Sequence, residues 1–193
     1  MRKFSKGRNK KPEFDQKLVD LARVSRVVAG GKRFRFRACI CIGDRKGRVA
    51  MGIAKGNDVS GAIAKAVLQA KKKIINVSSI KGTIPYRIQG QYKGAKIVLM
   101  PAREGTGIIA GGAVRSVLEL VGIKNISGKM LGSNNKINNV TATINMLKAI
   151  RSPQEIVTGR GKNLKEIAPY FIEKEKSLVK TVIVKKSLEK AEK

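Results

Sequence analysis

Arg33-Phe34-Arg35-Phe36-Arg37-Ala38-Cys39-Ile40-Cys41-Ile42-Gly43 alternates without a break. Successive side chains of a strand point to opposite faces, so Phe34, Phe36, Ala38, Ile40 and Ile42 share one face and Arg33, Arg35, Arg37, Cys39 and Cys41 the other. The stretch predicts a strand with its apolar face on a core. The other face begins with three arginines about 7 Å apart. Like charges that close repel each other unless an anion lies opposite.

Upstream, Leu18 to Val28 predicts a strand, joined through the turn Ala29-Gly30-Gly31-Lys32. Downstream, Asp44-Arg45-Lys46-Gly47 has the composition of a hairpin turn, and Arg48 to Lys55 the pattern of a return strand. Asp58 or Ser60 is placed to cap a helix whose stripe would be Ile63, Val67, Ala70 and Ile74, with Lys65, Gln69 and Lys72 opposite. The first half therefore reads β-β-β-α: a three-stranded antiparallel sheet carrying one helix.

Beyond Lys81-Gly82 a second α/β unit is expected. Thr83–Gln89 and Ala95–Met100 form a hairpin turning at Gly90 to Gly94. A helix from Ala113 to Val121 is stopped by Gly122 in the left-handed role. A strand follows at Ile126–Leu131, then a helix marked by Val140, Ile144 and Leu147. Ser152-Pro153-Gln154-Glu155 is a capping box with proline at the first helical position, and Asn163 with Glu166 repeats its offset. The expected class is α+β: a basic tail over 1–17, a first domain over 18–81, a second over 82–151, and short helices with a mixed-charge extension over 152–193.

Lys and Arg number 42 against 13 Asp and Glu, a net charge of +29 over 193 residues. Solubility of a small domain needs only about 2–8, so a polyanionic partner is implied. The first 81 residues hold 22 of the 42 cations. The tail Met1–Lys11 carries Arg2, Lys3, Lys6, Arg8, Lys10 and Lys11; charges so dense order only against an anion.

Catalytic groups are scarce. The chain has no His, so the usual general base near neutral pH is missing. Cys39 and Cys41 lack a His partner, and on one strand face they are too strained for a mutual disulfide. Two thiolates alone do not complete a tetrahedral metal site. The pair is read as reduced and semi-buried. No apolar run approaches 18 residues, and the N-terminus is basic and polar without the apolar region of a secretory signal, so none is expected. No enzyme, cofactor, metal or membrane role is expected.

Glu104-Gly105-Thr106-Gly107-Ile108-Ile109-Ala110-Gly111-Gly112 lies between a strand and a helix, where backbone N–H groups are placed to receive a phosphate. It lacks the Lys-Ser/Thr of a P-loop and the third glycine of the dinucleotide fingerprint. A phosphate-handling enzyme and a DNA-binding architectural module remain the rivals to an RNA-binding role.

Phosphate contact is expected along the rim made by Arg23, Arg26, Gly30, Gly31, Lys32 and Arg33, continued by Arg35, Arg37, Arg45, Lys46, Arg48 and Lys55. Lys71, Lys72 and Lys73 end the first helix, where cations also offset the macrodipole. The scarcity of Tyr, Trp and Phe argues against a stacking platform for single strands.

These residues bring the chain to a resemblance. Arg23-Val24-Ser25-Arg26 with Gly30-Gly31, Gly43-Asp44 through Gly47-Arg48-Val49, Ile75-Asn76-Val77, Glu104 to Ala113, and Gly132-Ser133 closely resemble the bacterial-type small-subunit ribosomal protein number five family, over Leu18 to Ile167. The resemblance implies a first domain like a double-stranded-RNA-binding fold without its first helix, and a second ribosomal domain with a left-handed crossover. It implies a cytoplasmic structural constituent of the small ribosomal subunit that binds 16S ribosomal RNA and supports assembly and decoding accuracy. It implies contact with small-subunit proteins number four and number eight, and with mRNA near the channel by which it enters. Gly30-Gly31 matches the family's spectinomycin-site loop. Gly105, Gly107 and Arg115 match the stretch facing protein number four. The chain departs from many members at Ala29, where they carry Lys, and at Arg33 and Arg35, where others are uncharged.

Overall fold

The computed structural model describes residues 13–77 and 82–161. The N-terminal tail to Lys11, Asn163 and Glu166, for which the sequence sets expectations, lie outside them. The chain up to Ile150 forms one compact unit built on two sheets, and Arg151 begins a second unit.

The first sheet has four strands in the order β1 (Asp15–Val28), β2 (Gly31–Gly43), β3 (Arg48–Gly56) and β4 (Ile75–Asn76), all antiparallel. Helix α1 (Val59–Lys71) links β3 to β4. The first strand starts three residues before the expected Leu18, and β4 is an addition to the expected three-stranded sheet. A register shift between Leu18 and Asp20 bends β1 and lets Val19 pack on the second core.

Expectation and structure differ most in how α1 meets the sheet. The buried stripe is Ala62, Ala66 and Ala70; Ile63 and Val67 are only partly buried, and Ile74 lies past the helix end and is exposed. The reason is close approach. A Cβ on Gly52 of β3 would strike the Ala66 carbonyl and come within 2.8 Å of the Ala70 backbone nitrogen, and one on Gly56 would lie 2.7 Å from the Ala62 nitrogen. With glycines below, only alanines fit above, and the larger aliphatic residues are pushed to the flanks.

The second face of β2 is also covered, which the alternation alone did not anticipate. From Ala38 to Gly43 every residue is buried. Ala38, Ile40 and Ile42 pack under α1, whereas Cys41 joins Val49 and Val77 in a core shared with the second sheet. Cys39 and Cys41 are thus fully buried, not semi-buried, and both are free thiols.

The second sheet runs β5 (Ile88–Tyr92), β6 (Ala95–Pro101), β8 (Ile126–Gly132), β7 (Ile108–Ile109). Strands β7 and β8 are parallel and joined through α2 (Gly112–Val121); the other pairs are antiparallel. Helix α3 (Lys136–Lys148) starts at Asn135, whose side chain accepts from the Ile137 N–H. Two expectations shift here. Gly90 lies inside β5 instead of in the turn, because Met146 of α3 occupies the place of its side chain. The two-residue β7 falls within the glycine-rich stretch, too short to announce itself by periodicity.

Main-chain hydrogen bonds join the first sheet's β2–β3 turn to helix α2. The Arg45 N–H donates to Leu120 O and the Gly47 N–H to Val121 O, both at 2.9 Å, so the β2–β3 turn grips the C-terminal end of α2. Gly122 ends that helix at φ 90°, as expected, with its N–H reaching Leu118 O and Glu119 O.

In the second unit, α4 (Pro153–Arg160) opens on the expected capping box. The Glu155 N–H donates to Ser152 Oγ at 3.2 Å, and the Ser152 N–H to Glu155 Oε2 at 3.3 Å. Among the described residues, no helix is long and apolar enough to cross a membrane, and no three metal-ligating side chains cluster.

Candidate nucleic-acid interface

Beyond Phe36, β2 loses β3 as a neighbour, and Gly31–Arg35 pairs only with β1. The end of the hairpin is therefore a two-stranded ribbon projecting from the sheet. Opposed residues of an antiparallel pair share a face. The register sets Arg26 against Arg33, Val24 against Arg35 and Ala22 against Arg37, so one face carries Arg26, Arg33 and Arg35 in a cluster. These three are exposed and have no carboxylate partner among the described residues. From Leu21 to Gly43 the sequence contains no Asp or Glu.

Arg37 differs from its neighbours. It is half-buried at the root of the ribbon, where Nη2 lies 3.3 Å from Asp20 Oδ2. Asp20 also faces Lys136 Nζ at 3.4 Å. Lys55, opposite Arg37 in register, is exposed on the same face as Arg33 and Arg35.

The other face of the ribbon carries Arg23, Ser25, Val27, Lys32 and Phe34. Phe34 was expected on the core; it is 50% exposed, since α1 and β3 stop short of it. The Arg23 guanidinium lies 3.8 Å from the centre of its ring. Sequence reasoning missed this stack, although counting register back from the Gly30-Gly31 turn brings the two residues to one face. Gly30 (φ 87°) and Gly31 form the exposed tip, with open space where side chains would be.

The next turn is committed to internal contacts. Asp44 accepts from Arg48 Nε at 2.6 Å and from the Lys46 and Arg48 N–H groups. Desolvation opposes its charge, but these donors outweigh it and hold its carboxyl below the usual range. Arg48 also faces Glu13, and Arg45 Nε lies 2.7 Å from Asp15 Oδ2. Lys46 stays exposed without such a partner among the described residues. Lys71, Lys72 and Lys73 are exposed around the end of α1, apart from the ribbon in sequence and element.

In the glycine-rich stretch, two of the backbone N–H groups are already engaged within the protein. The Gly105 and Gly107 N–H groups both donate to Asn125 Oδ1 at 3.1 Å, so a side chain of this protein already takes them. Arg115 is exposed on α2 and donates to Glu119, which also accepts from Lys17 of β1. Hydrogen bonds from Lys17 first, and Arg115 second, lower the Glu119 carboxyl below its ordinary value.

The described residues form an α+β body that carries an exposed cationic ribbon, a surface suited to binding. The description "Ribosomal protein S5, N-terminal domain" matches residues 14–78, and "Ribosomal protein S5, C-terminal domain" matches residues 90–160. The small ribosomal subunit protein uS5 of Picosynechococcus sp. is 45% identical over 86% of this chain and 96% of its own length. That of Crocosphaera subtropica is 44% identical over the same shares. The protein uS5c of Cyanophora paradoxa is 44% identical over 82% of this chain and 95% of its own. The chain belongs to the ribosomal protein S5 family, a family of structural proteins and not enzymes.

Proposed function

We propose that this protein is a structural constituent of the small ribosomal subunit that binds 16S ribosomal RNA chiefly through its first domain, residues 18–81. The observation that carries the reading is the ribbon face with Arg26, Arg33 and Arg35, exposed and unopposed by any acid from Leu21 to Gly43. Such a face suits the phosphates of an A-form helix, which proteins recognise by shape and backbone. Arg23, Gly30, Gly31, Lys32, Lys46, Lys55 and Lys71–Lys73 extend the contact. Arg37, Arg45 and Arg48 contribute while tied to Asp20, Asp15 and Asp44.

The second domain, residues 82–151, serves protein neighbours. Gly105, Gly107 and Arg115 lie at or near the surface and form the side toward small-subunit protein number four, with protein number eight a further partner. Through these contacts the protein supports assembly and decoding accuracy beside the incoming mRNA.

The test is salt-dependent binding of the full chain to a small-subunit RNA fragment. Contact with about 6–10 phosphates lowers affinity by about 10³–10⁵ between 50 and 200 mM salt, on the duplex-DNA scale. A flat response, or stronger binding to duplex DNA than to RNA in competition, overturns the reading. Replacing Arg26, Lys32 and Arg33 together by Ala should impair incorporation into the subunit.

A further inference from the structure

The two faces of the ribbon differ in chemistry. One presents the exposed Arg26, Arg33 and Arg35 around a half-buried Val24. The other sets the exposed Phe34 ring under the Arg23 guanidinium and beside Ser25, its partner in register, with Val27 (73% exposed) next along and Lys32 opposite Val27. Leu21, 42% exposed, continues the same face toward the body. An apolar strip gains nothing from a phosphate. It gains from a flat, weakly hydrated surface, and every nucleobase has one.

We infer that the Arg23–Phe34 pair is a stacking seat for one unpaired nucleobase of the RNA whose phosphates lie along the Arg26, Arg33 and Arg35 face. The inference rests on the RNA-binding reading and adds to it a recognised feature: a bulged or looped-out nucleotide. The occupant is RNA and not an apolar protein segment because the strip is interleaved with Arg23 and Lys32 and no acid lies between Leu21 and Gly43. Planar guanidinium and aromatic groups both stack on bases, and Ser25 supplies a hydroxyl for a base edge. One aromatic ring seats one base, which agrees with the low aromatic content of the chain.

The probes are two synthetic RNA duplexes identical except for one extra 2-aminopurine bulged from one strand of the second. The full-length protein should bind the bulged duplex about 10-fold more tightly, with a change in 2-aminopurine fluorescence on binding. Phe34→Leu should abolish that preference and the fluorescence change while leaving affinity for the perfect duplex, and its salt slope, as they were. Phe34→Tyr should retain both. Arg33→Ala with Arg35→Ala should weaken both duplexes alike and reduce the salt slope. The wild-type far-UV spectrum and melting temperature, retained in Phe34→Leu, establish that the variant folds. Equal binding of the two duplexes by the wild type, or a preference that survives Phe34→Leu, overturns the seat and leaves RNA binding standing. Failure to bind either duplex at low salt overturns both.

Discussion

Gly122 lies against Arg45 so closely that a Cβ on it would collide with the Arg45 carbonyl. It also sits at φ 90°, where L-residues are strained. Gly122→Ala should therefore cost about 2–5 kcal/mol by urea denaturation, combining left-handed strain with overpacking. Gly105→Ala is the control, with the same φ of 90° but open space around it. It should cost only the strain, about 1–2 kcal/mol.

The glycine-rich loop depends on Asn125. Asn125→Ala deprives the Gly105 and Gly107 N–H groups of their acceptor, and a loss of about 1–3 kcal/mol is expected. Amide hydrogen exchange should quicken at those two positions first. Asn125→Asp keeps an acceptor and should preserve their protection.

Cys39 and Cys41 should be chemically silent in the native protein. Burial, with the charge of Asp20 second, pushes the Cys39 thiol up to about 11; burial, with Cys39 second, pushes Cys41 up to about 12. Labelling with an aromatic disulfide reagent at pH 8 should proceed only at the rate of unfolding, with both thiols reacting together. Fast labelling of Cys41 would show that the shared core opens locally.

Acid should loosen the junction between the sheets. Glu119 and Asp44 have folded values below their unfolded ones. Their contribution is complete above the unfolded values of about 4 and lost as pH falls through the lower folded values. Melting temperature should thus be insensitive to these groups above about pH 5 and decline below about pH 4. Glu119→Gln should remove part of that decline, at a cost near neutrality of about 0.2–1 kcal/mol because its partners are solvent-exposed. Added salt should shrink the difference.

Elements with a strong local signal were legible from sequence. Alternation across Arg33–Gly43 marked β2, and the Ser152–Glu155 offset marked the start of α4. What stayed hidden depends on neighbours distant in sequence. Hydrophobic periodicity selected Ile63, Val67 and Ile74, because nothing in the helix reveals that Gly52 and Gly56 draw it close enough to bury only alanines. Likewise, counting cations listed Arg37, Arg45 and Arg48 beside Arg26, Arg33 and Arg35. Only the fold brings Asp20 to Arg37 and Asp15 to Arg45, Arg48 is held by Asp44 four residues away, and Arg26, Arg33 and Arg35 stay unpaired among the described residues.

The joint between Arg45, Gly47 and the carbonyls of Leu120 and Val121 is made by peptide groups alone. Every residue except proline offers the same N–H, and every residue the same C=O. The surface side chain of Lys46 is thus free to change without removing these bonds, whereas Arg45, at φ 58°, sits where bulky and β-branched residues are strained. A displacement imposed on the arginine-bearing hairpin would reach α2 through main chain, from β2 by way of the Asp44–Gly47 turn.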